Sequence, residues 1–193
     1  MHHRITAVVI ALSPLVVAGG ALSPAWSANL RLHRTPDLVI AVRSSGERVG
    51  PYNVERNPTL AGAIGAFGRP SSCRVVRGAP LFAVARWSRL DLRIEVGSLG
   101  GYPAGKDGCS APGKARVSTI DVFGRQWRTA AGLRVGEDVV ALKRAYPHAS
   151  LHRDGWWLVS KSSPLFGRYG LLVAHTSRGR VTALHLNVHA EGD

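Results

Sequence analysis

The apolar positions of this chain change period along its length, and each change marks an element. From Leu60 an apolar residue returns at Ile64 and Phe67, a spacing that puts all three on one side of a short helix. Asn57 and Pro58 just before it predict the start, an N-cap side chain followed by a first-turn proline whose missing N–H costs nothing. Gly68 and Pro70 predict the stop. The period then falls to two. Leu92, Ile94 and Val96 alternate with Asp91, Arg93 and Glu95, as in a strand with one buried and one wet face. Residues 73–76 and 81–87 read as two strands before it, the second joined to it by a turn at Ser88 and Arg89.

The same order returns farther on. Asp138 predicts a cap, Val139, Leu142 and Tyr146 an apolar stripe, and Pro147 the end of a second helix. Strands are expected at 156–159, 169–175 and 180–189, and in the last of them Leu184, Leu186 and Val188 alternate with His185, Asn187 and His189. Related lead-ins, GERVGPYN at 46–53 and GLRVGED at 132–138, precede the two helices. Between the halves, residues 98–114 read as a long loop and 117–129 as a strand pair around Gly124. Residues 160–170 read as an inserted loop suited to contacts. The expected fold class is α+β, two tandem helix-plus-antiparallel-meander units, residues 29–114 and 115–193.

The glycines at 62, 65 and 68 do not change this. They fall inside the first helix and match neither the dinucleotide fingerprint nor a P-loop. Close approach of the helix to a sheet accounts for them.

The N-terminus changes the picture of where the protein works. Arg4, the apolar run from Ile5 to Leu22 and the small residues of SPAWSA form an export signal over residues 1–28; Pro14, Gly19 and Gly20 argue against an uncleaved anchor. The expected location is secreted or the cell-envelope exterior, with no transmembrane domain after signal removal. In that setting Cys73 and Cys109 most simply pair, with two buried thiols as the alternative. The formal charge is +13, and only Arg4 of it lies in residues 1–28, which leaves +12 for the rest. An exported basic chain meets anionic wall polymers, lipid headgroups and other proteins, so nucleic acid is not the expected partner. Lysine occurs only at 106, 114, 143 and 161. The arginine excess fits either an anion-binding surface or the codon usage of a GC-rich genome.

Catalytic chemistry finds little footing. There is no G-x-S-x-G, and both cysteines are better used in a bridge. Glu137 and Asp138 sit where a helix dipole favours negative charge. His148 and His152 follow Pro147, outside the helix. His185 and His189 share a strand face but lie about 13 Å apart, too far for one ion. Neither a metal site nor a cofactor is expected, and no catalytic residue is assigned. The best binding candidates are aromatic. Trp156 and Trp157 are adjacent on a strand and point to opposite faces, so one of them is expected on the wet face near Arg153, His185, Asn187 and His189. The alternative has both covered, one by helices and one by the 160–170 loop.

The lead-in, short helix, proline and strand meander, twice over in an exported chain, resemble secreted proteins of high-GC actinobacteria. More remotely they are similar to the tandem fold of the secreted β-lactamase inhibitor protein and the small outer-membrane assembly lipoproteins. That resemblance implies a continuous antiparallel sheet with short helices packed on one face and the other free for a partner protein, without catalytic residues. The chain departs from it in having one cysteine pair and no lipid-acceptor cysteine. The expected function is an exported non-catalytic binding module, inhibitory where its partner is an enzyme. The alternatives are a basic envelope protein held to anionic wall or membrane surface and, third, a secreted hydrolase.

Overall fold

A computed structural model describes residues 38–43, 46–77, 79–98, 100–164 and 167–188, and over them the chain is mainly β-sheet with two short helices. The predicted export signal, residues 1–28, and His189 lie outside the described residues. Strands β1 (Val39–Arg43), β2 (Gly46–Val49) and β3 (Tyr52–Asn53) lead to helix α1 (Leu60–Phe67). Then come β4 (Ser72–Val76), β5 (Ala79–Trp87), β6 (Leu92–Gly97), β7 (Arg116–Val122) and β8 (Arg128–Thr129). Helix α2 (Val139–Ala145) precedes β9 (Ser150–His152), β10 (Gly155–Ser163), β11 (Gly167–Ser177) and β12 (Arg180–Asn187).

These strands make two sheets. One has eight strands in the order β4-β5-β6-β7-β12-β11-β10-β9, antiparallel throughout; the other has four in the order β3-β2-β1-β8, with β1 and β8 parallel. Alternation assigns the faces of the larger sheet. Ala85, Ile94, Ile120, Leu186 and Leu172 are register partners in turn and all are buried. They join one core cluster with Leu60 and Ala63 of α1, Leu142 of α2, and Ile40, Val49 and Tyr52 of the small sheet. Phe67 of α1 stands edge-on to Tyr52 and Trp87, with centroids 6.0 and 5.8 Å away.

Local signals and tertiary pairing disagree at three places. Helix α1 is capped by Thr59, whose hydroxyl accepts from Gly62 N at 3.2 Å, two residues later than expected at Asn57. Pro58 cannot be the first helical residue because its carbonyl accepts from Val117 N, which holds the chain extended against β7. Residues 117–129 are not a strand pair. Both edges of β7 are taken, by β6 and β12, so residues 128–129 pair with β1 in the other sheet. Finally, the expected loop at 160–170 is largely ladder: Ser160 to Ser163 pair with Gly170 to Gly167, extending the β10–β11 hairpin. Asp138, by contrast, caps α2 where it was expected, accepting from Ala141 N at 2.8 Å.

Cys73 of β4 and Cys109 are disulfide-bonded, with Cα atoms 5.7 Å apart. The bridge ties the edge of the large sheet to the segment between β6 and β7. Gly108 allows that segment to lie close, since a Cβ there would come within 2.9 Å of Ala83 Cβ. Among the described residues no helix is long and apolar enough to cross a membrane.

Candidate functional site

One register row crosses the whole large sheet on the face turned away from the core. It runs Ser72, Arg86, Arg93, Asp121, His185, Val173, Trp157, Ser150, one residue from each of the eight strands. This face is mostly polar because α1 and α2 contribute their buried residues to the opposite one; within the row only Val173 and Asp121 are themselves buried. Its centre is a closed network of charges. Asp121 is only 4% exposed; its Oδ2 accepts from Arg93 Nε at 2.9 Å and lies 2.9 Å from Arg93 Nη2 in an ion pair. Arg93 Nη2 also lies 3.0 Å from Glu95 Oε1.

On its other side Asp121 Oδ1 is 2.6 Å from His185 Nδ1, while His185 Nε2 is 3.0 Å from Asn187 Oδ1. The Asn187 amide is oriented by its own donation to Gly170 O at 2.7 Å, so its oxygen is the atom that meets the ring. Both ring nitrogens therefore face acceptors, the arrangement that an imidazolium satisfies. Arg93 and a charged His185 balance Asp121 and Glu95. Burial alone pushes His185 down, but the hydrogen bond and charge of Asp121 outweigh it and raise the imidazole above its ordinary range. Burial likewise pushes Asp121 up, and His185 and Arg93 together bring it below the usual carboxylate range. His175 of β11 stands edge-on to His185, centroids 5.6 Å apart; burial first, then the charge of His185, lowers it.

The linkage has a definite sign. A histidine raised on folding stabilises fully below its unfolded value near 6.5 and loses that contribution as pH rises through the folded value. The lowered Asp121 adds stability above about pH 4, lost only as pH falls below that. His175, being lowered, acts in the opposite direction to His185, and Asp154 is the remaining charged group that influences it. The stability difference between the wild type and His185→Gln isolates the pair: urea unfolding should show it largest near pH 6 and shrinking above pH 6.5. A difference that grows above pH 6.5 would mean that His185 is held neutral in the fold, and a pH-independent one that folding leaves its imidazole unshifted; either would overturn the charged pair.

The sequence-predicted residues divide as follows. His185, Asn187 and Trp157 share the free face. The Trp157 ring lies over Gly170, where an added Cβ would come 2.6 Å from Trp157 Cδ1. It stacks on His152 at 3.6 Å and donates Nε1–H to Asp154 Oδ1 at 2.8 Å. Trp156 is on the core face, half-buried, with Lys143 Nζ 5.3 Å from its ring centre. Arg153 is exposed in the turn between β9 and β10. Asp121, His175, Arg74, Arg86 and Phe82 escaped the sequence reading. Asp121 was visible as a lone carboxylate in an apolar strand, but nothing local pointed to a histidine 64 residues away.

No family model, curated protein or solved structure matches this chain. The chemistry of the face therefore rests on its own geometry. Ser72, Arg74, Val84, Arg86 and Arg93 line a groove at the β4 end. Arg86 stands directly across from Arg93, and among the described residues neither Arg74 nor Arg86 meets a carboxylate. Phe82, on the same face, is 45% exposed over Gly97. At the other end Ser150 Oγ and His152 Nε2 lie 2.8 Å apart on the edge strand. That pair is exposed, and among the described residues no carboxylate orients the histidine, so it lacks the third member that activates a serine.

Proposed function

We propose that this protein is a non-catalytic binding module, secreted or held at the cell-envelope exterior, that presents the helix-free sheet face to an acidic surface of a partner protein and inhibits it where that partner is an enzyme. The observation that carries the reading is the Arg74–Arg86–Arg93 groove beside exposed Phe82. Asp121 and Glu95 already neutralise Arg93, whereas among the described residues Arg74 and Arg86 meet no carboxylate, so an anionic partner group would pair with these two and offset the repulsion of Arg86 by Arg93 across the strands. Eight strands at about 4.8 Å and about 20 Å of strand length give a face of about 700 Å², close to the roughly 800 Å² per partner of a standard interface. The disulfide is compatible with an oxidising compartment.

We read the architecture as two tandem units, residues 29–114 and 115–193. Helix α1 leads to the β4–β5–β6 meander and α2 to β9 through β12, with β7 between the two meanders.

The test immobilises the oxidised protein, exposes it to envelope and culture extract, and washes at low and then high salt. A single protein retained at high salt is then titrated against variants. Arg86→Ser with Phe82→Ser should weaken it at least about 10-fold with melting unchanged, and Trp157→Ala should weaken it by more than about 1 kcal/mol at a temperature where that variant is still folded. Mixed anionic polymer released at modest salt, with no protein left, would instead favour a basic envelope-adhesion protein, which the +12 charge also suits.

A further inference from the structure

We propose that Asp121, His175 and His185 form a binding site for one divalent transition-metal ion of the zinc class, at the centre of the free sheet face. Each residue offers one ligand atom, and the three atoms lie within 4.8 Å of one another. They come from β7, β11 and β12, so pairing of three strands, and not local sequence, brings them together. Two imidazoles and one carboxylate form a donor set suited to zinc, cobalt, nickel or iron(II); calcium and magnesium prefer all-oxygen sites.

The surrounding hydrogen bonds are those that prepare ligands for a metal. Arg93 holds Asp121 by Oδ2 and leaves Oδ1 turned toward the histidines. Asn187, pinned by Gly170 O, accepts from His185 Nε2 and thereby makes Nδ1 the nitrogen available on the Asp121 side. Outer partners of this kind fix ring orientation and tautomer in metal sites. In the metal-free protein a proton lies between His185 Nδ1 and Asp121 Oδ1; the ion takes its place and recruits His175.

The nearby charges limit the site without closing it. Arg93 opposes a second cation, while Asp121 and Glu95 favour it, so the loaded cluster carries a net positive charge. An anionic or water ligand is expected at the remaining position. Such access is open because His175 and His185 are only partly buried. The site stands independently of whether a partner protein docks on the same face.

Cobalt(II) and zinc(II) serve as probes on the purified full chain, disulfide intact and stripped with chelator. Cobalt should give visible ligand-field bands that zinc displaces, with one equivalent bound by calorimetry. His175→Ala, which leaves the Arg93–Asp121–His185–Asn187 network whole, should weaken zinc at least about 10-fold, the lower bound for disturbing even an outer-shell partner. His185→Gln should abolish the cobalt bands. Side-chain nitrogen shifts of His175 and His185, followed by NMR in the wild type, provide a readout free of folding effects and should move together on zinc addition. No saturable uptake, or uptake unchanged by both variants with the two shifts unmoved, would overturn the proposal and assign any binding to exposed histidines such as His148 and His152.

Discussion

Replacing both cysteines, as Cys73→Ala with Cys109→Ala, should lower the stability of the fold by about 4 kcal/mol. The bridge closes a separation of 36 residues, and loop-closure entropy for a loop of that size corresponds to about 4 kcal/mol at 25 °C. For a chain of this length each kcal/mol moves the midpoint by roughly 2–4 °C, so the melting temperature should fall by about 8–16 °C. The physical setting supports nearly the full effect. Cys73 lies on an edge strand, paired on one side only, by β5. The segment that carries Cys109 has mainly short-range bonds of its own, in which Asp107 Oδ1 accepts from Cys109 N, Ser110 N and Ser110 Oγ. Comparing urea unfolding of the oxidised protein and the double variant checks this. A loss below about 1 kcal/mol would show that packing of Gly108 and Tyr102 against the sheet holds the segment without the bridge.

Trp127→Ala should cost about 3–5 kcal/mol, the range for truncating a large aromatic residue in a core. Trp127 is fully buried, stands edge-on to Phe67 at 6.5 Å, and donates its indole N–H to the Leu90 carbonyl. It also occupies the stretch where the chain leaves β7 and enters the small sheet through β8. Both sheets should therefore lose stability together, in one transition with an unchanged denaturant slope. Trp127→Phe separates packing from hydrogen bonding, because it keeps most of the buried area and leaves the Leu90 carbonyl without this donor, at about 1–3 kcal/mol. Chemical denaturation monitored by far-UV circular dichroism reads both. Two separate transitions in the alanine variant would mean that the sheets hold independent cores.

The charged row and the apolar core divide the large sheet sharply. One face carries Ile94, Ile120 and Leu186, the other Arg93, Asp121 and His185, from the same three strands. A network that is both satisfied and charge-balanced stays rigid while it faces solvent. Such a platform suits recognition, since groups held in place lose little further freedom on binding.

Much of this was legible in the chain itself. The i, i+4, i+7 stripe of Leu60, Ile64 and Phe67 marked α1, Asp138 marked the start of α2, and strict alternation marked β6 and β12, because helix and strand periods, capping and turn chemistry are local. Alternation even told that His185 and Asn187 share a face with each other and not with Leu186. It could not say which strand lies beside them. That choice is made by burial of all apolar faces at once, and it decided that β7 fills the gap between β6 and β12, that residues 128–129 join β1 in a second sheet, and that residues 160–163 and 167–170 extend a hairpin. The same choice set Asp121 against His185 across 64 residues and His175 beside both. The sequence by itself determined the elements and the polarity of their faces; only the tertiary structure decided the register, because register is fixed by contacts between segments that no local period encodes.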